Sequence, residues 1–430
     1  MPSPTRILIL GGGFAGVYTA HHLQRIWGRE ASVQITLVSR DNFFVMTPLL
    51  FEAGSGILEP RHAVNPIRPM FTSVRFVQAD IESIDIEARR VNVRIEGGTP
   101  EALEYDHVVL ALGGITNTAL VKGSEQALTF KTLGDAIFLR NHAIQRFERA
   151  DAQKDPDKKR AAMTFVIVGG GFVGVELVGE LTEFLPNVAK LYPNVSAKEL
   201  RFELIEAMPR IMPEFDDELG DYSAEVLTKR GVRIRTGVKV DHIEQGKIVL
   251  DNGESIESET IIVATGVVPS PVVSALPLEK NKKGAAIVEP TMRVKNRPEL
   301  WALGDCASIP DPDGKPYPPL AQHAMREAKV LAENITAAVR GWSLKPFVYH
   351  NKGNLAALGH YKGVGKVYKL RVKGLLAWWI WRSYYLFQMP RWERRLRVII
   401  DWTVALLFKN DVVQLDLTRG EHVSTGKRGS

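Results

Sequence analysis

The sequence predicts an α/β fold of two Rossmann-like dinucleotide-binding domains, followed by a C-terminal region of amphipathic helices. Three observations predict it. The strings RILILGGGFAG at 6–16 and TFVIVGGGFVG at 164–174 each run a short apolar strand into G-x-G-x-x-G spacing and on into a helical pattern. Behind each follows a strand that ends on glycine, DHVVLALGG at 106–114 and TIIVATG at 260–266, so a whole module repeats and not merely a motif. From Lys345 onward the composition changes: five of the eight tryptophans lie between Trp378 and Trp402.

In each glycine string one glycine makes the tight turn, one lets backbone approach a pyrophosphate, and one lets helix pack on strand. The phosphates then meet the free N–H groups and positive end of the helix. Gly11, Gly13 and Gly16 form the first set, with Gly12, Phe14 and Ala15 between them; Gly169, Gly171 and Gly174 form the second, with Phe172 and Val173. Two such units mean two dinucleotides, and so a two-cofactor redox protein.

Bulk properties bound the reading. A chain of 430 residues should form two to three domains. Net charge is +6, modest for this length, and neither a metal nor a nucleic acid is expected as a partner. The one cysteine, Cys306, excludes a disulfide within the chain, a CxxC redox pair and a cysteine-based metal site. The start, MPSPTRILIL, has no signal-peptide pattern, and no run reaches the roughly 18 apolar residues of a spanning helix. A cytoplasmic compartment is the expectation.

In chain order, residues 6–10 read as a strand, 14–27 as a helix and 33–38 as a second strand. The residue closing such a strand is usually an acid that holds ribose hydroxyls; here it is Ser39, then Arg40 and Asp41. The loop NFFVMTPLLFEAGSG contains Thr47; strands at 75–80, 91–95 and 106–114 follow, the last reaching Gly113. A helix spans 135–150, and DAQKDPDKKR reads as a solvated linker. The second unit runs through an extended helix and turn, LPNVAKLYPNVS, before FELI at 202–205, closed by Glu206. Residues 232–240 and 247–250 read as hairpin strands, and 260–266 as a strand ending on Gly266. LWALGDCASIP reads as a strand ending at Gly304 and Asp305, ahead of a helix at 320–340 that opens with Ala321 and Gln322.

Between Lys366 and Lys409 stand ten lysines or arginines against two acids, Glu393 and Asp401. Arg391, Arg394, Arg397 and Asp401 recur at helical spacing, with Trp392, Leu396, Ile399 and Leu406 on other faces. A basic, aromatic, amphipathic helix pair is the pattern of a protein lying in the membrane interface. The alternative is a helical hairpin packed on the body or on a partner subunit.

These residues resemble the two-dinucleotide-binding flavoproteins and, within them, the type II NADH dehydrogenases, single-subunit NADH:quinone oxidoreductases that do not pump protons. The matches are GGGFAG at Gly11, TPLLFEAGSG at Thr47, GGGFVGVELVGEL at Gly169, IIVATGVVP at Ile261, ALGDCA at Ala302, PLAQHAMREA at Pro319 and the tail RWERRLRVIIDWTVALLFKNDVVQLD. The resemblance implies a discontinuous FAD domain over 1–125 and 290–345, an inserted NADH domain over 160–285, and a membrane-associating region over 346–430. FAD, held non-covalently, would meet Gly11, Gly12, Gly13, Phe14, Ala15, Gly16, Ser39, Arg40, Thr47, Gly113, Gly304, Asp305, Ala321 and Gln322. NADH would meet Gly169, Gly171, Phe172, Val173, Gly174, Glu176, Glu206 and Gly266. Asp305 serves the ribityl and phosphate side of FAD in such proteins; otherwise it is a helix cap. Glu206 would take the adenosine ribose and repel a 2′-phosphate; otherwise it is an exposed structural acid.

Glu176 and Gln322 are the candidate catalytic residues. Glu176 would face the nicotinamide and flavin, positioning nicotinamide or relaying protons, against a plain acid at a helix start. Gln322 would meet a quinone carbonyl, and His323 is either a proton donor to quinone or a hydrogen-bonded bystander. Cys306 reads as a small buried residue. Ser39 in place of an acid, and His323–Arg326 where relatives carry further glutamines, depart from the family pattern. The expected reaction passes a hydride from NADH to FAD and two electrons to a membrane quinone, on the cytoplasmic face of the membrane by peripheral attachment; a homodimer stays open. The alternatives are a soluble ferredoxin or ferric reductase and an NADH-sensing redox interaction protein of the same fold. Sulfide:quinone reductases need reactive cysteines that one Cys306 does not supply.

Overall fold

A computed structural model describes residues 3–408 and 411–415. Residues 409–410 and 416–430, part of the expected membrane-associating region, lie outside the described residues.

Two five-stranded parallel sheets organise the chain, and they have one topology. The first runs Leu300–Ala302, His107–Leu110, Thr5–Leu10, Val33–Ser39, Val74–Gln78. The second runs Leu128–Thr129, Thr260–Val263, Thr164–Val168, Arg201–Glu206, Val232–Thr236. In each, the strand that precedes the glycine loop is central and is buried on both faces, as parallel sheets covered by helices require. The first sheet takes its edge strand from 300–302, so the chain leaves it, builds the second, and returns. Past the sheets, Gly114–Thr116 pairs antiparallel with Val267–Pro269, which ties the two units together.

Helices cover the sheets. In chain order these are α1 (Phe14–Trp27), α2 (Leu50–Gly54), α3 (Leu133–Ala152), α4 (Pro156–Ala162), α5 (Phe172–Ala189), α6 (Asp217–Lys229), α7 (Pro271–Ser274), α8 (Ala321–Arg340), α9 (Gly374–Gln388) and α10 (Trp392–Leu407). α1 packs on α8, where the Trp27 indole donates to Thr336 at 3.0 Å. One apolar core fills the first unit and another the second.

Four expectations need correction. The stretch DAQKDPDKKR is not a loop: Asp155 caps α4 by accepting from the N–H groups of Asp157 and Lys158, and Pro156 stands at the first position, where its fixed φ suits a helix. α3 begins two residues early because Thr132 and Asp135 form a reciprocal capping box. Residues 232–240 are not one hairpin strand. Val232–Thr236 joins the parallel sheet, Gly237 turns with φ +68°, and Val240–Glu244 pairs antiparallel with Lys247–Leu250. Finally, the C-terminal region is not helical throughout. A three-stranded antiparallel sheet, Gly353–Ala357, Gly363–Val367 and Leu370–Lys373, precedes α9.

The helix pair does form, and each helix has two unlike sides. Trp378, Trp381 and Trp402 are buried against the body. Asp401 of α10 also faces inward, 2.6 Å from His62, and Arg394 donates to the Arg61 carbonyl at 3.0 Å. The outer side exposes Leu375, Leu376 and Trp379 on α9 and Trp392, Leu396, Ile400 and Leu407 on α10. Much of the polar row thus serves the body, and an apolar face meets solvent. Among the described residues no helix is long and apolar enough to cross a membrane.

Candidate active site

The first glycine loop closes on itself as its residue types require. Gly11 has φ +116°, and a Cβ there would collide with the Ala111 carbonyl; a Cβ on Gly16 would collide with the Gly11 carbonyl. Gly12 lies against Ser39, which is buried at the strand end, and Arg40 is exposed beside Asp41. A Cβ on Gly13 would meet nothing within 4 Å, and Gly13 starts α1 with no side-chain cap and no acid in the first turn. Those N–H groups are therefore available to an anion. Ala15 is buried and Phe14 meets Phe44 edge to face, 4.9 Å between centroids. Thr47 opens a short turn leading into α2.

The returning segment places Gly304 and Asp305 at this loop. A Cβ on Gly304 would lie 3.2 Å from that of Ala15 and 3.8 Å from that of Ala324 on α8. The Gly304 N–H donates to Glu327 at 2.8 Å, and burial pushes the Glu327 carboxyl up to about 7. Burial likewise raises the Asp305 carboxyl, with Lys131 at 3.6 Å opposing. Ala321 opens α8. Gly113 accepts from the Ser270 N–H, and Gly266 from that of Asn117, one at each end of the ladder joining the units.

The second loop repeats the geometry. Gly169 has φ +114° and packs on the Ala264 carbonyl, while Gly174 presses on the carbonyl of Gly169. Gly171 starts α5, again with no side-chain cap and no acid in the first turn. Phe172 is half-buried and Val173 exposed. Glu206 closes its strand and accepts from the Gly170 N–H at 2.6 Å and the Met208 N–H at 2.7 Å.

Glu176 lies one turn further along α5 and is buried. It accepts from the Ala357 N–H at 2.9 Å and the Trp381 indole at 3.0 Å, so its partners come from the C-terminal sheet and α9. Burial pushes its carboxyl up to about 8, against those two hydrogen bonds. Around it stands a cluster that sequence reading missed. Glu180 accepts from Ser55 at 3.1 Å and is pushed up to about 7 by burial. Glu52 of α2 pairs with Arg382 of α9 at 2.7 Å and accepts from the Trp402 indole of α10 at 2.6 Å. The Arg382 guanidinium lies over both Trp378 and Trp402, 4.0 and 4.5 Å from the ring centroids. The signal available was Glu176 and Glu180 at i, i+4 in the otherwise apolar stretch 172–181.

Gln322 is half-buried, its amide turned to Asn354 at 3.0 Å and to Asn351 and the Gly353 carbonyl, both at 3.3 Å. His323 is buried, bonded to the Pro318 carbonyl at 2.9 Å, with its ring pulled toward neutrality by burial; the bystander reading fits these contacts. Cys306 is fully buried, its thiol bonded to the Leu110 and Leu303 carbonyls and pushed up to about 12 by burial, so it carries no reactive thiolate.

Twin nucleotide loops with free helix starts, set side by side by one ladder, define a two-dinucleotide oxidoreductase. Comparison with known proteins narrows the class. The profile of the pyridine nucleotide-disulphide oxidoreductase family matches residues 5–328, and that of the NDH2 C-terminal domain matches residues 351–411. A probable NADH dehydrogenase of Dictyostelium discoideum is 30% identical over 95% of this chain and 90% of its own. A type II NADH:quinone oxidoreductase of Mycobacterium tuberculosis is 28% identical over 94% and 89%. The fold matches that of NDH2 from Plasmodium falciparum in complex with NADH, with a TM-score of 0.87 over 95% of this chain and 99% of that one, at 19% identity. A ferredoxin reductase from Rhodopseudomonas palustris covers only 84% of the chain with a TM-score of 0.64. The chain belongs to the pyridine nucleotide-disulphide oxidoreductases and, within them, to the type II NADH:quinone oxidoreductases.

Proposed function

We propose that the first unit holds FAD non-covalently, that the second holds NADH, and that the apolar face of α9 and α10 lies in the surface of a membrane that carries the quinone. One observation carries the reading: two uncapped helix starts, each behind a loop whose first and third glycines admit no side chain, stand on units joined by the 114–116/267–269 ladder. Bound there, FAD would accept a hydride from NADH and pass two electrons to quinone.

The chain's own residues supply binding, orientation and protons. The N–H groups at the starts of α1 and α5 hold the two pyrophosphates. Ser39 reaches a ribose in the first unit, and Glu206 takes the ribose of NADH while disfavouring a 2′-phosphate. Asp305, fixed beside α1 by the Gly304–Glu327 bond, faces the ribityl side. Glu176 is neutral near pH 7 and holds a proton between α5 and the C-terminal region, where it positions nicotinamide or hands the proton on. Gln322 offers its amide to the quinone. Exposed tryptophan and leucine on α9 and α10 favour the interface, and arginines favour anionic headgroups, so attachment is peripheral and partly salt-sensitive. It lies on the membrane face bathed by the NADH pool, which we take to be the cytoplasmic one.

The test is spectroscopic. Purified protein should be yellow with one FAD per chain, NADH should bleach it, and a quinone should restore the colour. Protein that stays colourless and inactive with added FAD would overturn the reading.

A further inference from the structure

We propose that Glu214 is a gate on the second nucleotide loop: its carboxylate stands beside the pyrophosphate bed and must swing away from Gly171, or take a proton, before a dinucleotide seats. This rests on the assignment of NADH to that unit. A Cβ on Gly171 would lie 3.4 Å from Glu214 Oε1, whereas one on Gly13, the equivalent position of the first unit, would meet nothing within 4 Å. The second glycine of such a loop exists so that backbone and pyrophosphate can approach closely; Glu214 takes none of the α5 N–H groups, but an ionised carboxylate at that point repels the phosphates those groups would hold.

Glu214 is set there by its segment. The Met212 N–H donates to the Gly170 carbonyl at 2.7 Å, and Met212 holds φ +51°, a backbone state costly for a side chain with a Cβ. Ile211 rests on Gly170, and the Phe215 ring meets Phe172 edge to face at 5.5 Å between centroids. Backbone and rings thus lay residues 211–215 over the glycine loop, with Glu214 exposed at its mouth. The far end of the segment is anchored in the C-terminal sheet, where Arg371 at 3.0 Å and Lys366 at 3.7 Å pair with Asp216.

The charged groups facing Glu214 are Glu206, which disfavours its ionised form, and Arg210, which favours it; its own N–H also favours it. The side chain keeps one side open to solvent, yet the atoms packed around its carboxyl desolvate it; that is the largest influence, and the net direction is upward from the usual carboxylate range. An ionised Glu214 repels a pyrophosphate whatever the rest of the nucleotide carries. The gate therefore sets affinity for NADH, NAD⁺ and NADPH alike, whereas Glu206 discriminates between them. It also favours release of NAD⁺ once hydride has left.

The experiment measures ADP-ribose binding to the oxidised flavin-loaded protein, and KM for NADH and NADPH, for the native chain, Glu214→Gln and Glu214→Ala. Both variants should bind ADP-ribose about five- to tenfold more tightly, the worth of one charge at a helix start plus its repulsion from phosphate. KM should fall with the NADH/NADPH ratio unchanged. Native affinity should weaken as pH rises through the titration of Glu214, and that slope should vanish in Glu214→Gln. Equal or weaker binding by both variants would overturn the gate. A native protein that NADH fails to bleach would instead overturn the assignment of the unit.

Discussion

The two glycine units share a backbone and differ in the side chains laid on it. Both use the same strand order, both press their first glycine on a carbonyl beyond the sheet, and both press their third glycine on the first. Yet Ser39 closes the ribose-side strand of one and Glu206 that of the other. Gly13 has clear space above it, while Gly171 lies under Glu214. α1 packs on α8 and on the returning Gly304 turn, whereas α5 packs on the C-terminal region, where a Cβ on Gly179 would lie 2.7 Å from the Leu358 backbone. Duplicated backbone geometry makes both units bind a dinucleotide. On the proposed reading, the unlike side chains assign one to a resident group and the other to a nucleotide that comes and goes.

The strongest way to break that division is to fill each bed. Gly13 and Gly171 have φ near −80° and so accept a side chain without strain. Gly13→Val should fold and lose its flavin, with activity down about 10²-fold or more. Gly171→Val should stay yellow and resist bleaching by NADH to a similar degree. The absorbance of the purified variants decides; a yellow Gly13→Val or a colourless Gly171→Val would reverse the assignment.

A smaller effect separates the proposed membrane face from the units. Trp378, Trp381 and Trp402 plug the buried Glu52–Glu176 cluster, so removing the tail would expose that cluster and unfold the site. Surface substitution is the cleaner test. Trp392→Ser with Leu407→Ser, both more than 70% exposed, should weaken liposome binding about thirtyfold, from roughly 1 kcal/mol of interfacial burial each. Oxidation by a lipid-held quinone should fall with it, and oxidation by a short soluble quinone should not. Equal loss with both quinones would make the face a packing surface.

Much of this architecture was legible because it rests on local signals. The glycine spacing, the apolar strands and the repeated ATG and ALGG segments are read in windows of a dozen residues, and the α1 boundaries follow from them to the residue. What escaped depends on distant partners. The C-terminal sheet is short and rich in glycine and lysine, stabilised by Arg371, Lys373 and Lys366 against the acidic start of α6, which no local pattern shows. The burial of Glu52, Glu180 and Arg382 depends on helices up to 350 residues apart in sequence. The tail misled in one respect. Its helical spacing of Arg391, Arg394, Arg397 and Asp401 did not show that Asp401 and Arg394 serve the body while the apolar side faces out.

Glu206 sharpens the comparison further, because it is the acid that Ser39 replaces. Glu206→Ala should narrow the preference for NADH over NADPH in kcat/KM about tenfold, the cost of setting a carboxylate against a phosphate at an exposed site. The variant also frees the Gly170 and Met208 N–H groups, so NADH itself should bind somewhat less well. An unchanged ratio would leave Glu206 a loop-bracing residue only.

The smallest effect concerns Glu176, and it is read from pH rather than from a single rate. Its carboxyl titrates near 8 in the folded protein and near 4.3 when unfolded. Between those values the native state keeps a proton that the unfolded chain has released. Stability therefore falls as pH rises through this window and levels off above about 8. Glu180, raised to about 7, adds a slope of the same sign over the lower part of the range. Glu176→Gln cannot titrate, yet its amide oxygen can still accept from Ala357 and Trp381. The variant should thus gain stability relative to the native chain as pH is raised from 5 to 9, measured by thermal unfolding. Its turnover with quinone at pH 7 should fall about threefold, the worth of one neutral hydrogen bond, with flavin content intact. The native turnover should also bend near pH 8 where the variant stays flat. Coincident pH profiles for the two proteins in both measurements would show that the α5 carboxyl carries no proton at work, and the second unit would then differ from the first in nucleotide contacts alone.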